Sequence, residues 1–140
     1  MAGERLTLVV DTNVLLVSIS DRSVFHWLYR GILSGHFDLA VTTEILDEYA
    51  EIIGKKWHPD VASDVCRTLL ELPNVQRIEP SFRMNLIPED PDDNKFVDCA
   101  FAANAHYLVS NDKHYDVLKQ REFPQINVLT IQQLAQLLSV

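Results

Sequence analysis

The 140-residue sequence predicts an α/β fold in which a central, mostly parallel sheet is covered by helices on both faces. Two observations support this prediction. Short apolar runs alternate with longer segments whose apolar residues recur at helical spacing. Runs that are apolar throughout are typical of strands buried on both faces, as in parallel sheets. The length and the 47% hydrophobic content suit one core, so we expect a single domain over residues 1–140.

The first half of the chain alternates regularly between these two kinds of segment. Gly35 ends an amphipathic stretch, as glycine does at many helix ends. Thr42 and Thr43 follow the second apolar run and can cap the helix after it. The expected elements are a strand over 8–10, helices over 13–20 and 24–33, a strand over 37–41, and helices over 44–53 and 60–70.

The second half is divided by a loop over 80–92, where prolines at three places and several acids oppose regular structure. No repeat, low-complexity tract or linker interrupts the sequence, which again favours one domain. The expected elements are a strand over 74–78, a helix over 95–104, a strand over 107–109, a short helix over 115–118, a strand over 126–129 and a helix over 131–138.

Charge and composition argue against several classes of protein. A formal net charge of −8 opposes a broad basic surface that binds nucleic acid. Cations bound at an acidic site would neutralise part of this charge, and a smaller group of basic residues could then bind a polyanion. No segment is apolar for long enough to cross a bilayer, and residues 1–5 lack the layout of a secretion signal. We therefore expect a soluble, cytoplasmic protein without a membrane partner. Cys66 and Cys99 are expected to be buried free thiols.

Seven basic residues are candidates for this smaller group, although each alone is typical of a solvated helix face. They are Arg22, Arg30, Lys55, Lys56, Lys95, Lys113 and Lys119.

Two of the predicted strands end on acids. The run over 8–10 stops at Asp11. The run over 107–109 stops at Ser110 and Asp112. Because ligand sites in open α/β sheets lie at the carboxyl ends of the strands, these two ends predict a shared carboxylate site.

A third acid, Glu48, borders the apolar stripe of the helix over 44–53. It lies three residues after Ile45 and four before Ile52, whereas Asp47 and Glu51 point further towards solvent. A single acid at the edge of a surface helix is common, so Glu48 gains meaning only beside the other carboxylates.

Residues 88–94 place four acids directly ahead of a helix. One aspartate suffices to cap a helix. Four crowded carboxylates repel one another unless a cation or solvent screens them, so the excess indicates a metal site. Asp93 is placed to project from the first turn, and Asp90 lies three residues before it. Spacing alone does not separate their roles.

These acids would form an all-oxygen cluster at one edge of the sheet. Such a cluster selects Mg²⁺ or Mn²⁺ over Zn²⁺, which prefers histidine and cysteine. Ions held by few carboxylates keep open positions that suit phosphate oxygens, and they can generate hydroxide for in-line attack on a phosphodiester. No side-chain nucleophile is then required. The cluster consists of Asp11, Glu48, Asp93 and Asp112.

Four segments together resemble the PIN-domain nucleases, and in particular a bacterial group that acts as the toxins of toxin-antitoxin systems. The resemblance covers nearly the whole chain. It implies a three-layer α/β/α PIN-like fold, endoribonuclease activity on RNA, dimerisation, and inhibition by a cognate antitoxin. The segments are VVDTNVLL at 9–16, EILDEY at 44–49, DPDDNKF at 90–96 and LVSND at 108–112.

The resemblance also implies residue roles. It makes the four acids of the cluster the catalytic quartet that binds Mg²⁺ or Mn²⁺. Asn13 and Ser110 support the quartet, and Asp90 is a further supporting acid. The third segment holds more acids than family members often show, so the choice of Asp93 rests on its register with Phe96 and Ala100. In the mechanism we expect, Asp11, Glu48 and Asp93 hold the principal ion, and Asp112 binds or orients a second ion or the attacking water.

Several alternatives stay open. Lys113 and His114 could contact an RNA phosphate, and an exposed loop explains them equally well. A haloacid-dehalogenase-like phosphatase needs a second aspartate where Asn13 stands, and a phospho-receiver domain needs an acidic pair after its first strand. A non-catalytic PIN-like binding or regulatory module ranks below the nuclease because all four acids are present. The other histidines form no metal-spaced pair and are expected to be structural or at the surface. They are His26, His36, His58 and His106.

Overall fold

The computed structural model describes residues 5–81, 83–87, 91–119, 121–122 and 124–140. The strands are β1 (Leu6–Val10), β2 (Phe37–Val41), β3 (Val75–Arg77), β4 (Tyr107–Val109) and β5 (Val128–Leu129). The helices are α1 (Thr12–Ile19), α2 (His26–Ser34), α3 (Thr43–Lys56), α4 (Pro59–Glu71), α5 (Asn94–Ala102) and α6 (Ile131–Leu138). Short 3₁₀ turns cover Pro91–Asp93 and Lys113–Leu118.

The sheet has the strand order β3-β2-β1-β4-β5, and neighbouring strands are parallel. Strand β1 is central, with β2 on one side and β4, which comes much later in the chain, on the other. The direction of winding therefore reverses beside β1, and a crevice forms at the carboxyl ends of strands at such a point. The parallel sheet with its helices confirms the predicted three-layer α/β/α fold.

The apolar runs are strands because the core buries them on both faces. Leu8, Val9 and Val10 have no exposed surface, and neither do Leu108 and Val109. Adjacent residues of a strand point to opposite sides of the sheet, so helices must cover both sides here. Val10 pairs in register with Val109, and this pairing aligns the residues that follow the two strands.

Both predicted helix signals are confirmed. The Thr42 hydroxyl accepts a hydrogen bond from the backbone N–H of Ile45 at 3.1 Å and caps α3. Gly35 follows α2 with a φ of 81°, a left-handed conformation that glycine adopts without steric cost.

The element boundaries differ from the predictions for local reasons. Helix α1 begins one residue early, at Thr12, because the Asp11 side chain acts as its N-cap. Helix α5 ends at Ala102 rather than 104, since Asn104 has a φ of 52° and leaves the helical conformation. Strand β5 is shorter than the predicted 126–129: Ile126 is buried without belonging to the strand.

Two side chains of α5 bind the backbone of the described loop residues 83–87. The Asn94 amide donates to the carbonyl of Ile87 at 3.0 Å and accepts from the N–H of Ile87 at 2.8 Å. Asp98 accepts from the N–H of Met84 at 3.1 Å. These bonds hold Met84 and Ile87 against α5, the helix that directly follows Asp93, one of the predicted site residues.

Two further expectations concern the thiols and the membrane. Both cysteines are free; Cys99 is buried and Cys66 half-buried. Within the described parts of the chain, the helices are all too short or too polar to cross a lipid bilayer.

Candidate active site

Asp11 follows the carboxyl end of the central strand and is the least exposed of the four acids. Its side chain is held from two directions. The Ser110 hydroxyl donates to Asp11 Oδ2 at 2.6 Å, and the backbone N–H of Asn13 donates to Oδ1 at 3.3 Å. With 7% of its surface exposed, Asp11 lies at the base of the crevice rather than on the surface.

The charge of Asp11 is disfavoured by its surroundings. Burial is the main cause that raises the pKa of this carboxyl above its usual value of 3.8. The hydrogen bonds from Ser110 and Asn13 lower the pKa, and the negative charges of Glu48 and Asp112 raise it again. Three carboxylates are thus close enough to repel one another around a buried position.

Glu48 reaches the site from α3, and both of its carboxylate oxygens have partners. The Thr12 hydroxyl donates to Oε2, and Lys95 Nζ lies 2.7 Å from Oε1. Asp47 and Glu51 on the same helix are exposed, whereas Glu48 is half-buried, as the helical spacing predicts.

Asp93 and Asp112 approach each other at the other end of the cluster, with His114 beside them. His114 Nδ1 lies 3.4 Å from Asp93 Oδ2 and 3.3 Å from Asp112 Oδ1. One potential ligand atom from each of the three residues lies within 4.8 Å of the others. Asp93 is buried, whereas Asp112 and His114 lie towards solvent, so this end of the cluster opens to the surface.

Two fully buried tyrosines border the cluster. Burial, followed by the charges of Asp11, Asp93 and Asp112, raises the pKa of Tyr115 far above its ordinary value. The Tyr115 hydroxyl donates to the Asp93 carbonyl at 3.4 Å. The Tyr49 hydroxyl donates to the carbonyl of Val10 at 2.5 Å, directly before Asp11. The two tyrosines therefore form a buried wall beside the acids.

The structure brings the four acids and Ser110 of the sequence prediction together. His114, predicted only as a contact for phosphate, lies against two of the acids, and Lys113 is exposed. The Asn13 side chain is exposed, and its contact with Asp11 is made by the backbone. Asp90 lies outside the described residues.

Sequence reasoning missed the roles of two residues. Thr12 comes directly after Asp11, and a hydroxyl at the start of α1 was the available signal for its contact with Glu48. Lys95 stood among seven surface-type cations, and no pattern in the sequence distinguished it. Its partner lies on a helix that is distant in the sequence.

The residues present fit a divalent cation. Asp11 is buried among carboxylates that raise its pKa, and a cation among them would remove that repulsion. The donors are mainly carboxylate oxygens, which suit Mg²⁺ and Mn²⁺. His114 adds a nitrogen donor that the predicted all-oxygen cluster did not contain.

Comparison with protein-family models matches residues 7–114 to the PIN domain. This range is most of the chain and contains all four acids. The chain belongs to the PIN domain family. The curated proteins provide no match to its sequence.

Two solved structures share the fold of this PIN domain. The first is VapBC2 from Rickettsia felis bound to a DNA fragment from their promoter, with a TM-score of 0.61 and 16% identity; the match covers 89% of this chain and 98% of the other. The second is the T. brucei RRP44 PIN domain, with a TM-score of 0.53 and 12% identity, covering 96% and 82%. At these identities the likeness shows the fold alone.

Proposed function

We propose that this PIN domain is a metal-dependent endoribonuclease that hydrolyses RNA phosphodiesters. One observation carries the proposal: four carboxylates from four separate segments converge on the carboxyl edge of the sheet, beside the central strand. Structural stability does not require such a convergence, because like charges around the buried Asp11 disfavour its ionised form. A site for a divalent ion gives a reason for it.

In the proposed mechanism, the cluster formed by the four acids binds Mg²⁺ or Mn²⁺. When bound, the ion supplies an activated water and stabilises the charge that develops on the phosphate and the departing oxygen. The chain itself positions the ligands: Ser110 orients Asp11, and Thr12 holds Glu48. No serine or cysteine nucleophile is required.

The substrate contacts lie at the open end of the cluster. Lys113 is exposed there, and the His114 side chain is 46% exposed. We propose that Lys113 contacts an RNA phosphate next to the cleaved bond, whereas His114, which lies against Asp93 and Asp112, is a further donor to the ion. The net charge of −8 opposes a broad basic surface, so we propose that binding of RNA depends on few contacts and on the metal ion.

The biological role we propose is that of a toxin in a toxin-antitoxin pair, located in the cytoplasm, able to dimerise and inhibited by a cognate antitoxin. The fold shared with VapBC2 from Rickettsia felis supports this role. Expression of the chain alone should slow growth and alter cellular RNA, and Asp11→Asn should abolish both effects. Normal growth with unaltered RNA would remove the toxin role while leaving the nuclease proposal to its own test.

Cleavage assays test the nuclease directly. Single-stranded RNA, double-stranded RNA and single-stranded DNA are incubated with Mg²⁺, Mn²⁺ or EDTA, using the parent, Asp11→Asn and Asp47→Asn proteins. Asp47→Asn removes one exposed carboxylate from α3 and serves as the matched control. We expect metal-dependent cutting of RNA by the parent and by the control, and none by Asp11→Asn. A folded protein that binds Mn²⁺ and cuts nothing would favour a PIN-like binding module, and an Asp11→Asn protein that cuts like the parent would refute the assignment.

A further inference from the structure

Lys95 makes contacts unlike those of an ordinary surface lysine. Its ammonium lies 2.7 Å from Glu48 Oε1 and donates a hydrogen bond to the carbonyl of Asp92 at 2.8 Å. Only 13% of the Lys95 side chain and 25% of the Glu48 side chain are exposed. Lysine is rarely this enclosed unless a partner compensates its charge, and here the partner is a member of the acidic quartet.

Glu48 is the acid of the cluster that the described structure pairs with a lysine. Its second oxygen accepts the hydroxyl hydrogen of Thr12. Asp11 is bound by the neutral groups of Ser110 and Asn13, and Asp93 and Asp112 have His114 beside them at the solvent-facing end of the cluster. Among the described contacts, the fixed positive charge therefore lies at the Glu48 end of the cluster.

The net charge of the cluster also favours one divalent ion over two. Four ionised carboxylates carry four negative charges, of which Lys95 neutralises one. One divalent ion would neutralise two more and leave a small negative excess, whereas two ions together with Lys95 would make the site positive. A second ion at Glu48 would also have to displace a lysine that is itself held by the Asp92 carbonyl. Separating a largely enclosed ion pair is costly because it leaves a charge uncompensated.

We propose that Lys95 is a built-in cation that occupies the Glu48 side of the cluster, so that the site binds one divalent ion per chain instead of two. This inference rests on the proposed metal-dependent function and specifies it. Lys95 is a positioning residue that acts through Glu48. The single ion then lies towards Asp11, Asp93 and Asp112, which replaces Glu48 in the ligand set expected from the sequence.

Counting bound Mn²⁺ tests the proposal. Titration calorimetry and electron paramagnetic resonance of free Mn²⁺ are applied to the full chain and to Lys95→Met, which removes the charge while keeping a long side chain. We expect one Mn²⁺ per chain for the parent and two for Lys95→Met. Lys95→Arg keeps the positive charge and should still bind one. Adding Glu48→Gln to Lys95→Met should return the count to one.

The outcomes separate the two proposals. A parent that binds two Mn²⁺, or a folded Lys95→Met that still binds one, would overturn the role of Lys95 and leave the metal-dependent nuclease intact. A parent that binds none would overturn the proposed function itself. Lys95→Gln, which removes the charge but keeps a polar side chain, gives the same test if Lys95→Met does not fold. A purely structural lysine would change the stability of these variants without changing the number of ions.

Discussion

The Ser110 hydroxyl donates a hydrogen bond to the Asp11 carboxylate at 2.6 Å, although 99 positions separate the two residues in the sequence. The pairing of Val10 with Val109 produces this contact, because Asp11 and Ser110 are the next residues after the two strands. The same Ser110 oxygen accepts the backbone N–H of Asp112 at 3.0 Å. One buried serine thus links the ends of β1 and β4 at the candidate site.

Ser110→Ala should therefore destabilise the protein. It removes a hydrogen bond to a buried charged group, which typically costs about 1–3 kcal/mol. Because that bond lowers the pKa of Asp11, its loss should raise the pKa further, and the destabilisation should be larger at neutral pH than in acid. Urea unfolding at both pH values measures the effect. Ser63→Ala, on the exposed face of α4, is the control and should change stability by less than about 0.5 kcal/mol. Equal losses in the two variants would contradict the role of Ser110.

Asp11→Asn should stabilise the metal-free protein at neutral pH. In the folded state the pKa of Asp11 is raised above 3.8, so the folded state binds more protons than the unfolded state between the two pKa values. Stability therefore falls as the pH rises from 3.8 through the folded pKa, and the neutral amide avoids that loss. The gain should be present above this range and absent below pH 3.8. Urea unfolding across the pH range gives the comparison.

Mn²⁺ should reverse the order of stability, so that the parent becomes more stable than Asp11→Asn. An ion that binds only the folded state raises stability by mass action, so Mn²⁺ should raise the Tm of the parent and leave that of Asp11→Asn nearly unchanged. Asp47→Asn should respond to Mn²⁺ like the parent because its side chain is exposed and outside the cluster. An equal shift in all three proteins would indicate that the ion binds elsewhere.

The sequence singled out the four acids because each stands beside a recognisable local pattern. Asp11 and Asp112 follow buried strands, and Glu48 borders the apolar stripe of a helix. These signals are local, so they can be recognised without knowledge of the fold. The contacts of Lys95 and His114 depend on how separate elements meet, so no spacing in the sequence encodes them.

The difference between local patterns and contacts across the fold also explains which elements were predicted correctly. Periodic segments such as α4 and α6 were predicted nearly in full, since amphipathic spacing extends over two or more turns. Helix α3 continues to Lys56, beyond the predicted end at 53. Strand β5 was overestimated because Ile126 is apolar and buried without pairing in the sheet, and an apolar run does not separate these two cases.

Tyr49→Phe tests the link between α3 and the central strand. The Tyr49 hydroxyl, fully buried, donates to the carbonyl of Val10 at 2.5 Å, and its removal should cost about 1–3 kcal/mol in the free energy of unfolding. Because Val10 directly precedes Asp11, cleavage should also decline while Mn²⁺ still binds. Tyr107→Phe is the comparison, since Tyr107 is only half-buried and lies at the opposite end of β4. Unchanged stability in Tyr49→Phe would show that this hydroxyl contributes nothing to the position of α3.

His114→Gln should change which metal the protein prefers. Imidazole nitrogen suits transition metals, whereas Mg²⁺ prefers oxygen ligands and binds nitrogen weakly. With His114 Nδ1 within 3.4 Å of Asp93 Oδ2, its replacement by an amide should weaken Mn²⁺ binding more than Mg²⁺ binding. Competition titrations of the two ions measure the ratio of their affinities. Lys113→Gln, one position away and exposed, should leave that ratio unchanged even if RNA binds less tightly. If His114→Gln weakens RNA binding without altering the ratio, then His114 contacts phosphate and is not a ligand of the metal.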